Sequence, residues 1–437
     1  MNTTYKQFNI ENLTYIFCIE DFEIFKIPHI ENDENIIKEI KIKKEKSNSN
    51  IDKNNRENLK DDFTKSKIIH TVGIDIANGC TLDCTYCYIS AAKKTRRILS
   101  KEIFLDILNF LKSEKDHPIT FYFTGAGEPT LNFNLLKQLP ILCKENGFDK
   151  CVYNLTTNGT ILTNEMIEFF KLNMFTINIS FDGDKKTHDA SRIYHNGKGS
   201  FEDIYNNLTL LKKNGIKFSC KTTIQPDNKN LVEVFSFFEE NKINFIFSIA
   251  TNSFDNHFLP NINDLKTFEE QLNKVVESYK KLIENNQEIF AEKFINDLKR
   301  IHYGQVSKNG CIASRESFFM DIEGSIFPCS YHSSSIDLSV GNIYAGIDYE
   351  KIIKNSWYAK PVDNYSACEN CWMKYLCTGS CFAIKWLENK NTDVPSDYLC
   401  KTYDIYWTAI IKLYTQIYPY ITSGNNINFI DLNDENQ

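Results

Sequence analysis

Short apolar runs alternate with segments of helical period through the middle of the chain. Residues 69–76, 119–123, 150–156, 176–181, 218–224 and 245–250 are rich in Ile, Val, Phe and Thr and read as strands. Between them, 100–114, 134–146, 164–173, 201–214 and 230–241 place apolar residues three and four apart and read as helices. Gly215 stands just past the fourth of these helices, where a left-handed residue ends a helix. Six strand–helix steps in a row predict parallel strands joined by crossover helices, hence an α/β fold. Six steps are too few to close an eight-unit barrel, so the expectation is an open, partial (β/α)6 barrel over 68–302. Its last part, 262–302, reads as a long helical stretch.

The flanks differ. Residues 1–31 carry a strand pair, 15–19 and 22–27, joined by Glu20-Asp21. Residues 32–67 are polar and charged, with too little apolar material to offset ordering entropy, and read as a flexible linker. From Cys311 the alternation stops. Residues 303–408 are loop-rich, and such a unit needs metal ligation because it has little core of its own. Residues 409–437 form a C-terminal helix, read from Tyr403 to Ile421, and a polar tail.

Composition narrows the function. The chain has 437 residues and a formal net charge of −7, with no basic surplus to neutralise phosphates, so no nucleic-acid partner is expected. It shows neither a membrane-length apolar run nor a secretory signal at its start, so no membrane association and a cytoplasmic location are expected. In that setting its 14 cysteines point to metal or redox chemistry rather than to disulfides.

Two cysteine constellations stand out. Cys80, Cys84 and Cys87, followed by Tyr88, lie in the loop after the first barrel strand. Three thiolates on one loop hold three irons of a [4Fe–4S] cluster and leave the fourth open to a ligand. The strand's C-terminal end is where βα barrels keep their active sites. The second set is Cys311, Cys329, Cys368, Cys371, Cys377, Cys381 and Cys400. A structural zinc ribbon takes four ligands, which leaves three thiols over unless two sites share the set.

With these motifs the chain resembles the radical SAM superfamily, whose signature is CxxxCxxC. Thr124-Gly125-Ala126-Gly127-Glu128-Pro129 is similar to the family's GGEP turn, Thr156-Thr157-Asn158-Gly159 to its TNG motif, and Ser180-Phe181-Asp182-Gly183 with His188, Asp189 and Arg192 to its S-x-D-G stretch. The resemblance implies that Cys80, Cys84 and Cys87 hold a SAM-binding [4Fe–4S] cluster. It places Tyr88, Gly125, Gly127, Glu128, Asn158, Ser180 and Arg192 around S-adenosylmethionine, with Ser180 and Arg192 at its carboxylate or ribose. Asp182 and His188 serve equally well as cap or turn residues. The second set resembles the SPASM domain, which implies two auxiliary [4Fe–4S] clusters. Cys368, Cys371, Cys377 and Cys400 would hold the distal one, and Cys311, Cys329 and Cys381 the proximal one. Residues 300–310 contain no eighth cysteine, so the proximal cluster has an iron open to a substrate thiolate or to His302 or His332.

The resemblance further implies an oxidoreductase that forms a 5′-deoxyadenosyl radical, fed by a flavodoxin- or ferredoxin-type donor. Its substrate would be a ribosomally made precursor peptide. A sulfur-to-carbon thioether, as in the ranthipeptide and sactipeptide maturases, suits the open proximal iron. Carbon–carbon crosslinking or another peptide oxidation uses the same cysteines. Anaerobic sulfatase maturation fits less well, because Ser330 follows Cys329 where that family has an Asp base. The N-terminal strand pair would either capture a leader peptide by strand addition or cap the barrel. A non-catalytic cluster or zinc module is the reading from a different class. The remaining Cys18, Cys143, Cys151 and Cys220 read as buried, inert thiols.

Overall fold

The computed structural model describes residues 5–10, 13–28, 68–89, 96–125, 127–251 and 259–422. The predicted linker, the polar tail and Ala126 lie outside them.

Six parallel strands follow the predicted order. They are β4 (Thr71–Ile74), β5 (Ile119–Phe123), β6 (Cys151–Thr157), β7 (Thr176–Ser180), β8 (Phe218–Ile224) and β9 (Phe245–Ile249), each paired in parallel with the next. The crossovers are α1 (Lys101–Phe110), α2 (Phe133–Leu136) with α3 (Leu139–Glu145), α4 (Asn164–Leu172), α5 (Lys185–Ser191) with α6 (Phe201–Lys213), and α7 (Leu231–Glu240). Buried Phe104, Leu108, Ile167, Phe170, Leu208 and Phe238 press these helices onto the sheet. Caps set their starts: Ser100 accepts from Ile103 N and Thr163 from Met166 N. Gly215, at φ +67°, ends α6 as predicted.

Four features depart from the expectation. First, the N-terminal pair is a three-stranded antiparallel sheet of β1 (Tyr5–Ile10), β2 (Leu13–Cys18) and β3 (Ile24–Pro28), ordered β1-β2-β3. In β1 only Phe8 is buried, so its apolar pattern is too sparse to read as a strand. Second, the stretch 262–302 is two helices, α8 (Leu265–Glu284) and α9 (Glu292–His302), with Asn286 left-handed between them. Third, the loop-rich segment builds strands β10 (Ser317–Met320), β11 (Ser325–Phe327), β12 (Gly341–Asn342) and β13 (Gly346–Ile347). β10 pairs in parallel with β4, so the main sheet runs β13-β12-β11-β10-β4-β5-β6-β7-β8-β9. The cysteine-rich segment is thereby fused to the barrel at the strand that leads into the Cys80 loop. Fourth, after α10 (Tyr349–Asn355), α11 (Lys374–Cys377) and α12 (Phe382–Asn389), helix α13 begins at Asp397, ahead of the predicted Tyr403, and runs to Thr422 along α8 and α9.

Two glycines show how tightly this seam is packed. A Cβ at Gly73 or Gly125 would stand 2.6 or 2.5 Å from the ring of Phe319 on β10. The N-terminal sheet docks on the C-terminal segment: Phe8 and Phe17 meet Trp372 edge-on, and Lys6 pairs with Asp404 at 3.4 Å. No described helix is long and apolar enough to cross a membrane.

Candidate active site

A cavity of about 370 Å³ opens at the C-terminal ends of the parallel strands. Cys80, Cys84, Cys87, Tyr88, Gly125, Gly127, Glu128, Asn158, Ser180 and Arg192 all line it. These residues come from five separate stretches of chain, and the structure brings them to one wall.

The loop that carries Cys80, Cys84 and Cys87 is held by backbone and by Asn158. Asn158 Nδ2 donates to Cys80 Sγ at 3.5 Å and to Thr81 Oγ1 at 2.9 Å, and Leu82 N donates to the same sulfur at 3.5 Å. Gly127 sits against that loop so closely that a Cβ would lie 2.2 Å from Ala77 O and 2.3 Å from Gly79 O. Glu128 N donates to Gly79 O at 2.8 Å. The Glu128 carboxylate points inward, accepting from Thr130 N, Thr130 Oγ1, Thr157 Oγ1 and Asn158 N. Burial pushes this carboxyl above its ordinary value, and those four donors oppose the shift. Glu128 therefore orders the Asn158 turn, and its backbone faces the cavity. The Ser180 hydroxyl has no side-chain hydrogen bond among the described residues and is available to a ligand.

The motif reading passed over Tyr86 and underrated Asp182. Asp182 accepts from Arg192 Nε at 2.9 Å and Nη2 at 3.1 Å, from Thr223 N at 2.9 Å, and from the Tyr86 hydroxyl. The Tyr86 ring lies under the Arg192 guanidinium, 5.4 Å from its centroid, and lines the cavity. Asp182 is thus a buried hub that aims two cavity residues. The signal available was an aromatic residue between Cys84 and Cys87. His188 is fully buried, bonded to Ser200 and tilted against the Phe181 ring, which is a structural role.

The seven C-terminal thiols sort into two groups. Cys368, Cys371, Cys377 and Cys400 line one small cavity together with Lys385. Lys385 is only 3% exposed, lies 3.6 Å from the Tyr365 ring centroid and makes no ion pair among the described residues. Cys329 instead lies near Cys381 and Cys311. Backbone amides point at several of these sulfurs: Ala313 N at Cys311 (3.4 Å), and those of Ala383 and Ile384 at Cys381. His332 Nδ1 is 3.3 Å from Cys329 Sγ. His302 bonds Tyr414 and lines a different cavity.

Tyr88 joins the two constellations. Its ring stacks on Tyr331 with centroids 4.2 Å apart and planes 21° apart. Tyr331 follows Cys329 by two residues, bonds Thr251 Oγ1 at 2.8 Å and lines the same cavity as the first cysteine trio.

These thiols fit iron–sulfur clusters. Among the described residues no three His, Cys, Asp or Glu side chains converge on a single ion. A four-iron cluster asks for wider spacing, one thiolate per iron, with N–H donors to the sulfurs. Burial pushes the Cys80 thiol up to about 11 and those of Cys84 and Cys377 up to about 12, so loading metal must expel protons. A buried lysine beside four cysteines also suits an anionic cluster.

One expectation fails outside the site. Cys18, Cys143 and Cys220 are buried, but Cys151 is half-exposed at the sheet's rim.

Comparison with known proteins follows the same lines. Residues 74–238 match the model of the Radical SAM superfamily. The chain is 25% identical over 368 residues to the cysteine-type anaerobic sulfatase-maturating enzyme of Clostridium novyi (strain NT), covering 78% of this chain and 95% of that protein. The solved structure of native anSMEcpe with bound AdoMet superposes with a TM-score of 0.69 at 21% identity, covering 80% of this chain and all of that one. Streptococcus suis SuiB bound to precursor peptide SuiA superposes with a TM-score of 0.53 at 16% identity, covering 90% of this chain and all of that one.

Proposed function

We propose that this chain, which carries a radical SAM domain, is a peptide maturase that installs a sulfur-to-carbon thioether in a ribosomally made precursor. A radical SAM domain binds S-adenosylmethionine and a [4Fe–4S] cluster, and when bound they supply the 5′-deoxyadenosyl radical that removes a substrate hydrogen. The residues do the rest. Cys80, Cys84 and Cys87 would hold the cluster by three thiolates. Gly125, Gly127 and the Glu128 backbone admit the SAM methionine closely. Ser180 and the remaining Arg192 nitrogen face its polar groups, with Arg192 aimed by Asp182. Tyr86, Tyr88 and Tyr331 wall the cavity and keep water from the reacting carbon.

The observation that carries the thioether reading is the proximal trio. Cys311, Cys329 and Cys381 group together without a fourth cysteine, and Cys329 adjoins the reaction cavity through Tyr331. Three thiolates would hold a cluster that could supply an iron site to a substrate thiolate. Cys368, Cys371, Cys377 and Cys400, which line one cavity, would hold the distal cluster, which would supply an electron acceptor. Likeness to the SuiB–SuiA complex supports a peptide substrate. At the N-terminus, β3 is an edge strand whose residues line a cavity of about 530 Å³ with α9 and α13, a place for a leader peptide to add as a strand. Incubation with the small cysteine-containing peptide encoded nearest the gene tests this. Loss of two hydrogens with one cysteine blocked to alkylation supports a thioether, and the same loss with every cysteine alkylatable supports carbon–carbon crosslinking.

Similarity spanning nearly all of a sulfatase-maturating enzyme favours a second reading, maturation of a sulfatase cysteine. Ser330 in place of the expected Asp weighs against it. Modification of a sulfatase active-site peptide, and not of the gene neighbour, would decide for it.

A further inference from the structure

Cys329 has a neighbour that the cysteine spacing does not announce. The chain turns tightly after it: His332 N donates to Cys329 O at 3.0 Å and opens a short 3-10 turn, His332–Ser334. That turn folds the imidazole back on the sulfur, with Nδ1 3.3 Å from Cys329 Sγ. The ring is fully buried and clamped by other rings. It stacks on Phe382 with centroids 5.5 Å and planes 26° apart, and Trp357 and Trp386 close in at 5.6 and 6.1 Å. Phe382 directly follows Cys381 and opens α12, which also carries Trp386. Elements that flank two cysteines of the proximal trio therefore fix this one imidazole.

The distance decides between two roles. His332 is one of the residues expected to be able to fill the open proximal iron. In a four-iron cluster each protein ligand takes its own iron, so ligand atoms on different irons stand wider apart than a hydrogen bond. At 3.3 Å, Nδ1 and Cys329 Sγ are at hydrogen-bond separation instead. A ligating thiolate has lost its proton. The shared hydrogen then belongs to the imidazole, and Nδ1–H donates to the sulfur. The two ring nitrogens point apart in the ring plane, so a ring that gives Nδ1 to Cys329 turns Nε2 away from that sulfur.

We propose that His332 is a positioning residue for the proximal cluster, donating from Nδ1 to the Cys329 thiolate and leaving the fourth iron open. The proposal rests on the assignment of Cys329 to that cluster under the proposed function. A donor to a ligating sulfur draws charge from it and favours the reduced cluster, which carries one more electron.

The test is redox titration with electron paramagnetic resonance on the whole reconstituted chain, read on the signal that Cys311→Ala removes. His332→Phe keeps a ring against Phe382 and deletes the donor. His332→Asn restores an amide N–H at the place of Nδ1. The Phe variant should disfavour reduction about tenfold, about 59 mV for one electron, and the Asn variant should stay within about twofold of the parent. Where the Phe variant holds less iron, His332→Gln replaces it: its amide lies one bond further out, and the same fall is expected. An unchanged potential without the donor, with about twelve irons present, overturns this proposal alone. So does an equal fall in the Asn variant, or a directly iron-bound nitrogen in the spin-echo spectrum of parent protein labelled with 15N-histidine. A parent with about eight irons and no signal lost in Cys311→Ala overturns the cluster assignment and this proposal with it.

Discussion

Asp182 grips Arg192 through two hydrogen bonds of 2.9 and 3.1 Å; both side chains are buried, and Arg192 lines the candidate cofactor cavity. Removing one partner of such a pair strands a charge in a dry site, at a cost of about 3–5 kcal/mol. Asp182→Ala should therefore lower the unfolding free energy by that amount and weaken SAM binding by calorimetry, since Arg192 and Tyr86 lose their common anchor. Unchanged SAM affinity would remove Asp182 from the site.

Gly127 offers a sharper probe because its Cβ has nowhere to go. Backbone oxygens of Ala77 and Gly79 lie 2.2 and 2.3 Å from that position, and backbone cannot swing aside like a side chain. Gly127→Ala should push the turn off the cluster loop and cut SAM affinity at least tenfold, which is about 1.4 kcal/mol, while iron content holds. Binding equal to the parent would show that the close approach is not used.

Lys385 is a buried cation among the four distal cysteines. A unit charge several ångströms from a cluster shifts its potential by on the order of 100 mV at an effective dielectric near 20. Lys385→Met should lower the distal cluster's reduction potential by about that much, read by redox titration with electron paramagnetic resonance. No shift would place the cluster elsewhere.

Acid should loosen the fold through His188. Burial holds its imidazole down at about 4, against an ordinary 6.5. The folded state thus prefers the neutral ring. Its contribution is complete above about pH 6.5 and is lost as pH falls toward 4, up to about 3 kcal/mol. Denaturant unfolding across that window should show stability falling with pH, and His188→Gln should flatten the slope. An equal slope in the variant would assign the acid sensitivity to other groups.

Local signals made much of this structure legible. β4 to β9 are apolar runs bounded by turn residues, and the cysteine spacings and glycine turns mark the cavity wall in the sequence itself. What escaped depends on distant pairing. β10 is four residues long and becomes a strand because β4 offers it an edge. β1 buries only Phe8 and exists because β2 pairs with it. The Tyr86–Asp182 bond joins residues 96 apart, and no periodicity announces it.

Iron stoichiometry and product mass, measured on one anaerobically reconstituted sample, test the central claim most directly. The account predicts about twelve irons per chain, in three four-iron clusters. With SAM, reductant and the gene-neighbour peptide it predicts 5′-deoxyadenosine and a product short of two hydrogens, with one cysteine closed to alkylation. Bound zinc, few irons and no deoxyadenosine would contradict it.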